Sequence, residues 1–291
     1  MAKDWVLSET FAWQGASVRW DGMGTGAPVV LCHGTPWSSY VWRAIAGALS
    51  SERTVYVWDM IGYGQSDKPE GDVSLGAQGR LLAALLKHWG LETPDLVAHD
   101  FGGAVALRAH LLHGTPLRSL ALVDVVALRP WGSHFFRLVA QHSDVFMQLQ
   151  PNLHEALVRE YIAGASYQGL APDVHEALIS PWLGPIGQSA FYRQIAQADQ
   201  GYTDEIEPLY PDIKAPTLIV WGTDDEWIPV DRAHRLNSLI AGSRLKLIDS
   251  AGHLVQEDRP SELNALLHQW LIEPADNQQR LQPPISPKLG Q

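Results

Sequence analysis

The chain carries a single cysteine, Cys32, so no intrachain disulfide can form, and no cysteine–histidine spacing offers a zinc site. Positive charge is scarce: lysine and arginine number 21 against 32 acidic residues, a formal net charge of −11. Nucleic acids and anionic membrane surfaces are gripped through basic patches, so neither is expected as a partner. Long apolar runs are missing as well. None approaches the ~18 residues of a membrane span, and the opening MAKDWVLSET lacks the basic-then-apolar pattern of a signal peptide. The expectation is a soluble, cytoplasmic, globular protein, a monomer or small homo-oligomer. With 291 residues it has ample chain for a large core.

What the sequence does have is a set of short, nearly continuous apolar runs. They lie at 27–34 (APVVLCHG), 54–60 (TVYVWDM), 95–100 (DLVAHD), 120–126 (LALVDVV), 216–222 (PTLIVWG) and 245–249 (LKLID). Rich in β-branched and large apolar residues, they predict strands covered on both faces. Helical periodicity fills the intervals, as at 75–89 with leucines at 81, 82, 85 and 86. Alternating strand and helix predicts an α/β fold, a mostly parallel central sheet flanked by helices. The first 26 residues predict an antiparallel start, two extended segments around a glycine turn.

The alternation stops after Val126. Roughly 85 residues follow without a strand pattern, too many for a loop in a compact domain. They are aromatic and helix-prone, which predicts an inserted helical cap over 127–212. The expected organisation is a core of 1–126 and 213–272, the cap between, and a proline-rich disordered tail at 273–291.

The segment at 96–107, LVAHDFGGAVAL, runs an apolar strand into His-Asp-Phe-Gly-Gly and out into a small-residue helix. This is the strand–nucleophile–helix turn of the α/β-hydrolase elbow, with aspartate in the nucleophile position. Taken alone, Asp100 could equally be a helix cap. Three companions decide against that. His33-Gly34-Thr35-Pro36 follows the first core run, where the fold places its oxyanion loop. Asp225 follows the late run in WGTDDEWIP (221–229), and His253 follows the last in SAGHLV (250–255). Nucleophile, acid, histidine is the chain order of this fold. Asp124, in LALVDVV, is a rival for the acid. Asp225 is preferred because it has the usual Gly-x-x-Asp spacing.

The sequence therefore resembles the aspartate-nucleophile branch of the α/β-hydrolases: haloalkane dehalogenases and epoxide hydrolases, with fluoroacetate dehalogenases as a third relative. HGTPWSSYVWR (33–43), DMIGYGQSDKP (59–69) and AHDFGG (98–103) carry the resemblance. The first two look particularly like haloalkane dehalogenases. The resemblance implies that Asp100 attacks an sp3 carbon of a small apolar substrate and forms an ester. His253, oriented by Asp225, would then activate water against that ester. The N–H groups of Phe101 and Thr35 would hold the oxyanion, and neither metal nor organic cofactor is needed.

The leaving group is less legible. Haloalkane dehalogenases usually hold halide with a tryptophan directly after the nucleophile and an asparagine after His-Gly, or with a cap tryptophan. Here those first two positions are Phe101 and Thr35, leaving Trp182 (in SPWLGP) or Trp131 to supply an indole. Phe101 in place of the arginine of fluoroacetate dehalogenases argues against haloacids. Epoxide hydrolases protonate the opening oxygen with cap tyrosines. GPIGQSAFYR (184–193) resembles a segment carrying one such residue, here Tyr192, with Tyr161 or Tyr167 as a second. The missing halide donor and the cap tyrosine favour an epoxide hydrolase, but HGTPWSSYVWR is the longest specific match, so the expected function is haloalkane dehalogenase-like, with an epoxide hydrolase as the alternative. A non-hydrolytic lyase, or a small-molecule receptor on the same scaffold, are the further alternatives.

Overall fold

The structure, a computed structural model, describes residues 5–272; the tail expected at 273–291 lies outside the described residues. Eight strands form one sheet: β1 (Glu9–Trp13), β2 (Ala16–Met23), β3 (Pro28–Cys32), β4 (Thr54–Trp58), β5 (Asp95–His99), β6 (Ser119–Val123), β7 (Thr217–Gly222) and β8 (Arg244–Ile248). Their order is β1-β2-β4-β3-β5-β6-β7-β8. β1 and β2 are an antiparallel hairpin whose turn places Gln14 and Gly15 at positive φ, as a two-residue turn requires. β2 also runs antiparallel to β4, and every later pairing is parallel. The six apolar runs are the six parallel strands. β5, β6 and β7 are buried along their whole length, which is why their sequences show no alternation.

Helices α1 (Arg43–Leu49), α2 (Leu75–His88) and α3 (Phe101–His113) follow the first parallel strands. Ser74 caps α2 by accepting from the Ala77 N–H, and Leu81, Leu82, Leu85 and Leu86 turn its apolar side into the core. α3 is buried along most of its length, and Gly114, in the left-handed conformation, ends it. Between β6 and β7 the described chain is helical: α4 (His134–Gln141), α5 (Ser143–Phe146), α6 (Pro151–Ala163), α7 (Pro172–Ile179), α8 (Gly184–Ala196) and α9 (Gly201–Asp204), with short 3-10 turns. α10 (Asp231–Leu239) joins β7 to β8, and α11 (Val255–Asp258) and α12 (Pro260–Ile272) complete the described chain.

The two ends of the sheet have different chemistry. At the amino end of β5, buried Asp95 accepts from Arg53, Arg118 and Ser119, and both arginines also donate to the Leu271 carbonyl. That network ties α12 to the sheet and leaves the buried charge paired. The carboxyl ends carry Asp100, Asp124, Asp225 and His253 on short loops. The helical insertion lies over them: the Trp182 indole donates to Pro36 O, Thr35 Oγ1 donates to Gln194 Oε1, and Tyr161 stacks on Trp227. Ligands in open α/β sheets bind at this end.

Candidate active site

Asp100 sits at the tip between β5 and α3 with φ 51° and ψ −122°, a conformation costly for a residue with a side chain. It is held there from several sides. Its N–H donates to Val123 O, and its carbonyl accepts from Gly103 and Val126 N–H. The tight turn needs the neighbouring glycines. A Cβ on Gly34 would lie 2.3 Å from Asp100 Oδ1, and one on Gly102 would lie 2.5 Å from the carbonyl oxygens of Cys32 and His33. The side chain itself is fixed by a 2.6 Å bond from the Thr35 N–H to Oδ1. Oδ2 lies 3.4 Å from His253 Nε2, whose other nitrogen, Nδ1, is 2.9 Å from Asp225 Oδ2.

Asp225 is anchored in turn, Oδ1 accepting from the Trp227 and Ile228 N–H groups at 2.8 and 2.9 Å. Burial alone would depress the His253 pKa. The Asp225 charge, the hydrogen bond to Asp225 and the contact with the Asp100 carboxylate outweigh it and hold the imidazole pKa well above its ordinary value. His99, the residue before Asp100, donates from Nε2 to the His253 carbonyl at 2.9 Å. Burial, and then the proximity of His253, lower its pKa to about 3, so it stays neutral and acts as a strut for the histidine loop.

A small pocket opens beside Asp100. Thr35, Phe101, Val126, Trp131, Phe136, Tyr161, Trp227 and Ile228 line it, and Asp100 is its sole ionisable carboxyl. Trp227 stacks between Tyr161 (4.6 Å) and His253 (5.0 Å), so one aromatic column joins the helical insertion to the histidine. The Tyr161 hydroxyl has no hydrogen-bond partner among the described residues. Burial first, then the Asp100 carboxylate and Tyr63, push its phenol far above the ordinary value, so it remains protonated at neutral pH.

The family model of the α/β-hydrolase fold matches residues 27–260 of this chain. The chain belongs to the α/β-hydrolase family. A solved α/β-hydrolase fold protein from Burkholderia ambifaria is 46% identical with a TM-score of 0.89, the match covering 91% of this chain and 98% of that one. Epoxide hydrolase A of Mycobacterium tuberculosis is 28% identical over 296 residues, 84% of this chain and 91% of its own. A haloalkane dehalogenase of Agrobacterium fabrum is 37% identical over 103 residues, 35% of this chain and 34% of its own. A hydrolase is the activity class this membership supports.

In this α/β-hydrolase, Asp100, His253 and Asp225 stand together, with Thr35 and Phe101 beside them. The donors expected from the helical insertion are placed otherwise. Trp182 is fully buried and its indole N–H donates to Pro36 O at 2.7 Å, so it is not a free halide donor. The Trp131 ring lines the pocket, but its N–H is taken by Thr203 Oγ1 at 2.9 Å. Tyr192 faces into the insertion, where its hydroxyl meets His154 Nδ1 at 2.8 Å while His154 Nε2 donates to Trp182 O. It does not reach the pocket, because the buried His154 needs a partner for each ring nitrogen. Tyr167 is exposed. Of the three tyrosines considered, Tyr161 is the one beside Asp100.

Four residues of the site, Tyr63, Gln194, Trp227 and Asp258, are not singled out by the sequence. Tyr63 donates from its hydroxyl to Gln194 Oε1, the same oxygen that takes the Thr35 hydroxyl, and so braces the oxyanion loop against α8. Trp227 forms the aromatic column. Asp258 accepts from Ser166 Oγ, Tyr167 N–H, Gln168 N–H and Gly252 N–H, tying the end of the α6 segment that carries Tyr161 to the loop that carries His253. Tyr63 lies inside the 59–69 motif, which was the available signal. Asp59 of that motif accepts from Ser39 and Gln65 N–H, and His33 Nε2 accepts from Met60 N–H. Those bonds stitch the 59–69 motif to the 33–43 motif.

Proposed function

We propose that this α/β-hydrolase opens small neutral epoxides through an ester on Asp100, with Tyr161 as the proton donor to the leaving oxygen. The observation that carries this is the free Tyr161 hydroxyl in the pocket beside Asp100, set against the occupied indoles of Trp131 and Trp182 and a Phe101 side chain that has no donor. The apolar lining, with no second charged side chain, suits an uncharged ligand.

In the first step Asp100 Oδ2 attacks an epoxide carbon, the C–O bond breaks, and the leaving oxygen takes the Tyr161 proton. Esterification removes the Asp100 charge, one of the influences that raise the His253 pKa. The imidazolium then gives its proton, through solvent, to the Tyr161 phenolate and so becomes available as a base for the second step. His253 takes a proton from water, and the hydroxide attacks Cγ of Asp100. The oxyanion forms at the oxygen already bonded by the Thr35 N–H, with the Phe101 N–H at the start of α3 alongside. Collapse releases the diol. One water proton ends on the released hydroxyl, and the other returns His253 to its resting protonated state.

Tyr161→Phe is expected to lower epoxide turnover by about 10²–10⁴-fold, the usual worth of a placed general acid. Steady-state diol formation measures it, and wild-type turnover in the variant would contradict Tyr161 as the donor. A second function rests on a separate observation. Trp227 also lines the pocket, and its indole has no acceptor among the described residues, so it is a donor that could hold a halide. Together with the 33–43 motif, that supports carbon–halogen cleavage by the same Asp100 ester.

A further inference from the structure

Asp124 is fully buried just past the end of β6, and its carboxyl neighbours that of Asp225, the acid that holds His253. Its backbone is pinned in the left-handed region at φ 45°, with its N–H donating to Val220 O of β7. One side-chain oxygen, Oδ1, accepts from the Gly222 N–H at 2.9 Å. The other, Oδ2, is buried with no donor facing it. The group within hydrogen-bonding reach of the side chain is the Asp225 carboxyl, itself an acceptor for His253 Nδ1–H and for two backbone N–H groups. Two neighbouring carboxyls that share one dry site are not both charged. An acceptor oxygen without a donor is also a costly thing to bury.

We propose that Asp124 is a positioning residue held as a neutral carboxylic acid, donating its proton from Oδ2 to Asp225, so that one negative charge is shared by the pair and is presented to His253. Every polar atom is then satisfied. Asp124 Oδ1 takes the Gly222 N–H, Asp124 Oδ2–H meets Asp225, and Asp225 keeps its charge for the imidazole. Burial, and then the Asp225 charge, act in the same direction on the Asp124 carboxyl and raise its pKa well above the carboxylate range. His253 and the Gly222 N–H offset them only in part. Both aspartates at the β6 and β7 ends therefore belong to one acid, with distinct protonation states. The inference rests on Asp225 as the acid behind His253.

Infrared spectroscopy of the intact substrate-free protein tests this directly, since exposed carboxyls are ionised at neutral pH and a buried acid shows a separate C=O stretch. The expected result is such a band in the wild type, absent from Asp124→Asn and retained at a shifted frequency in Asp225→Asn. No protonated-carboxyl band in the wild type would overturn the proposal. So would a band that survives in Asp124→Asn and vanishes in Asp225→Asn, which would place the proton on the other residue. The wild-type spectrum decides the first point even if a variant folds poorly. Because no substrate is involved, failure here leaves the Asp100 ester chemistry untouched, and failure of that chemistry leaves this result standing.

Discussion

Asp100→Asn is expected to abolish turnover, with a loss on the order of 10⁶-fold, the scale seen when a nucleophile is removed from a working triad. The substitution is conservative in shape. The amide oxygen can still accept the Thr35 N–H, and asparagine tolerates positive φ as readily as aspartate, so folding should be intact by circular dichroism. What is lost is the charge and the free electron pair of a carboxylate aimed at an sp3 carbon. A neutral amide oxygen is a poor nucleophile there, and no other carboxylate lines the pocket in its place. Turnover close to wild type in a folded Asp100→Asn protein would place the chemistry elsewhere.

Asp225→Asn is expected to cost about 10⁴-fold in turnover, by a different route. The side-chain oxygen can still take the Trp227 and Ile228 N–H groups, so the turn survives. Its NH2 then faces His253 Nδ1, which forces the imidazole into the tautomer with Nδ1 as acceptor and Nε2 protonated. That histidine cannot take a proton from water. Attack by Asp100 needs no proton from His253, so the defect should fall on ester hydrolysis and show in rapid-quench kinetics as a preserved first turnover followed by a stall. Equal slowing of both phases would contradict this division of labour.

Much of this site is legible in the primary sequence because it lies at strand ends. The parallel strands are continuous apolar runs, and each chemically active residue follows one within a few positions, so locating the strand locates the residue. Asp100 has the further mark of the glycines that its turn requires. The helical insertion is harder for a physical reason. Tyr161 and Tyr192 both sit on helices with mixed faces, and which one faces the pocket depends on packing between helices far apart in sequence. His154 decides it by drawing the Tyr192 hydroxyl inward, and nothing local to GPIGQSAFYR announces that contact. Trp182 is similar, its N–H taken by a carbonyl 146 positions away. Tyr63, Gln194 and Asp258 also act through long-range bonds. They position groups that react, and they carry no chemical signature of their own.

The central claim is a covalent ester on Asp100, and trapping it is the most direct measurement. His253→Gln keeps the carboxylate and removes the base, so alkylation should proceed while hydrolysis stops. The variant would be incubated separately with small epoxides and small haloalkanes and examined by intact-protein mass spectrometry, with peptide mapping to locate the adduct. The predicted result is a gain equal to the whole epoxide, placed on Asp100. A gain equal to the alkyl group, with halide released, would keep the ester and transfer the function to carbon–halogen cleavage. No adduct from either panel, in a folded variant whose wild-type parent turns the substrate over, would contradict the ester itself.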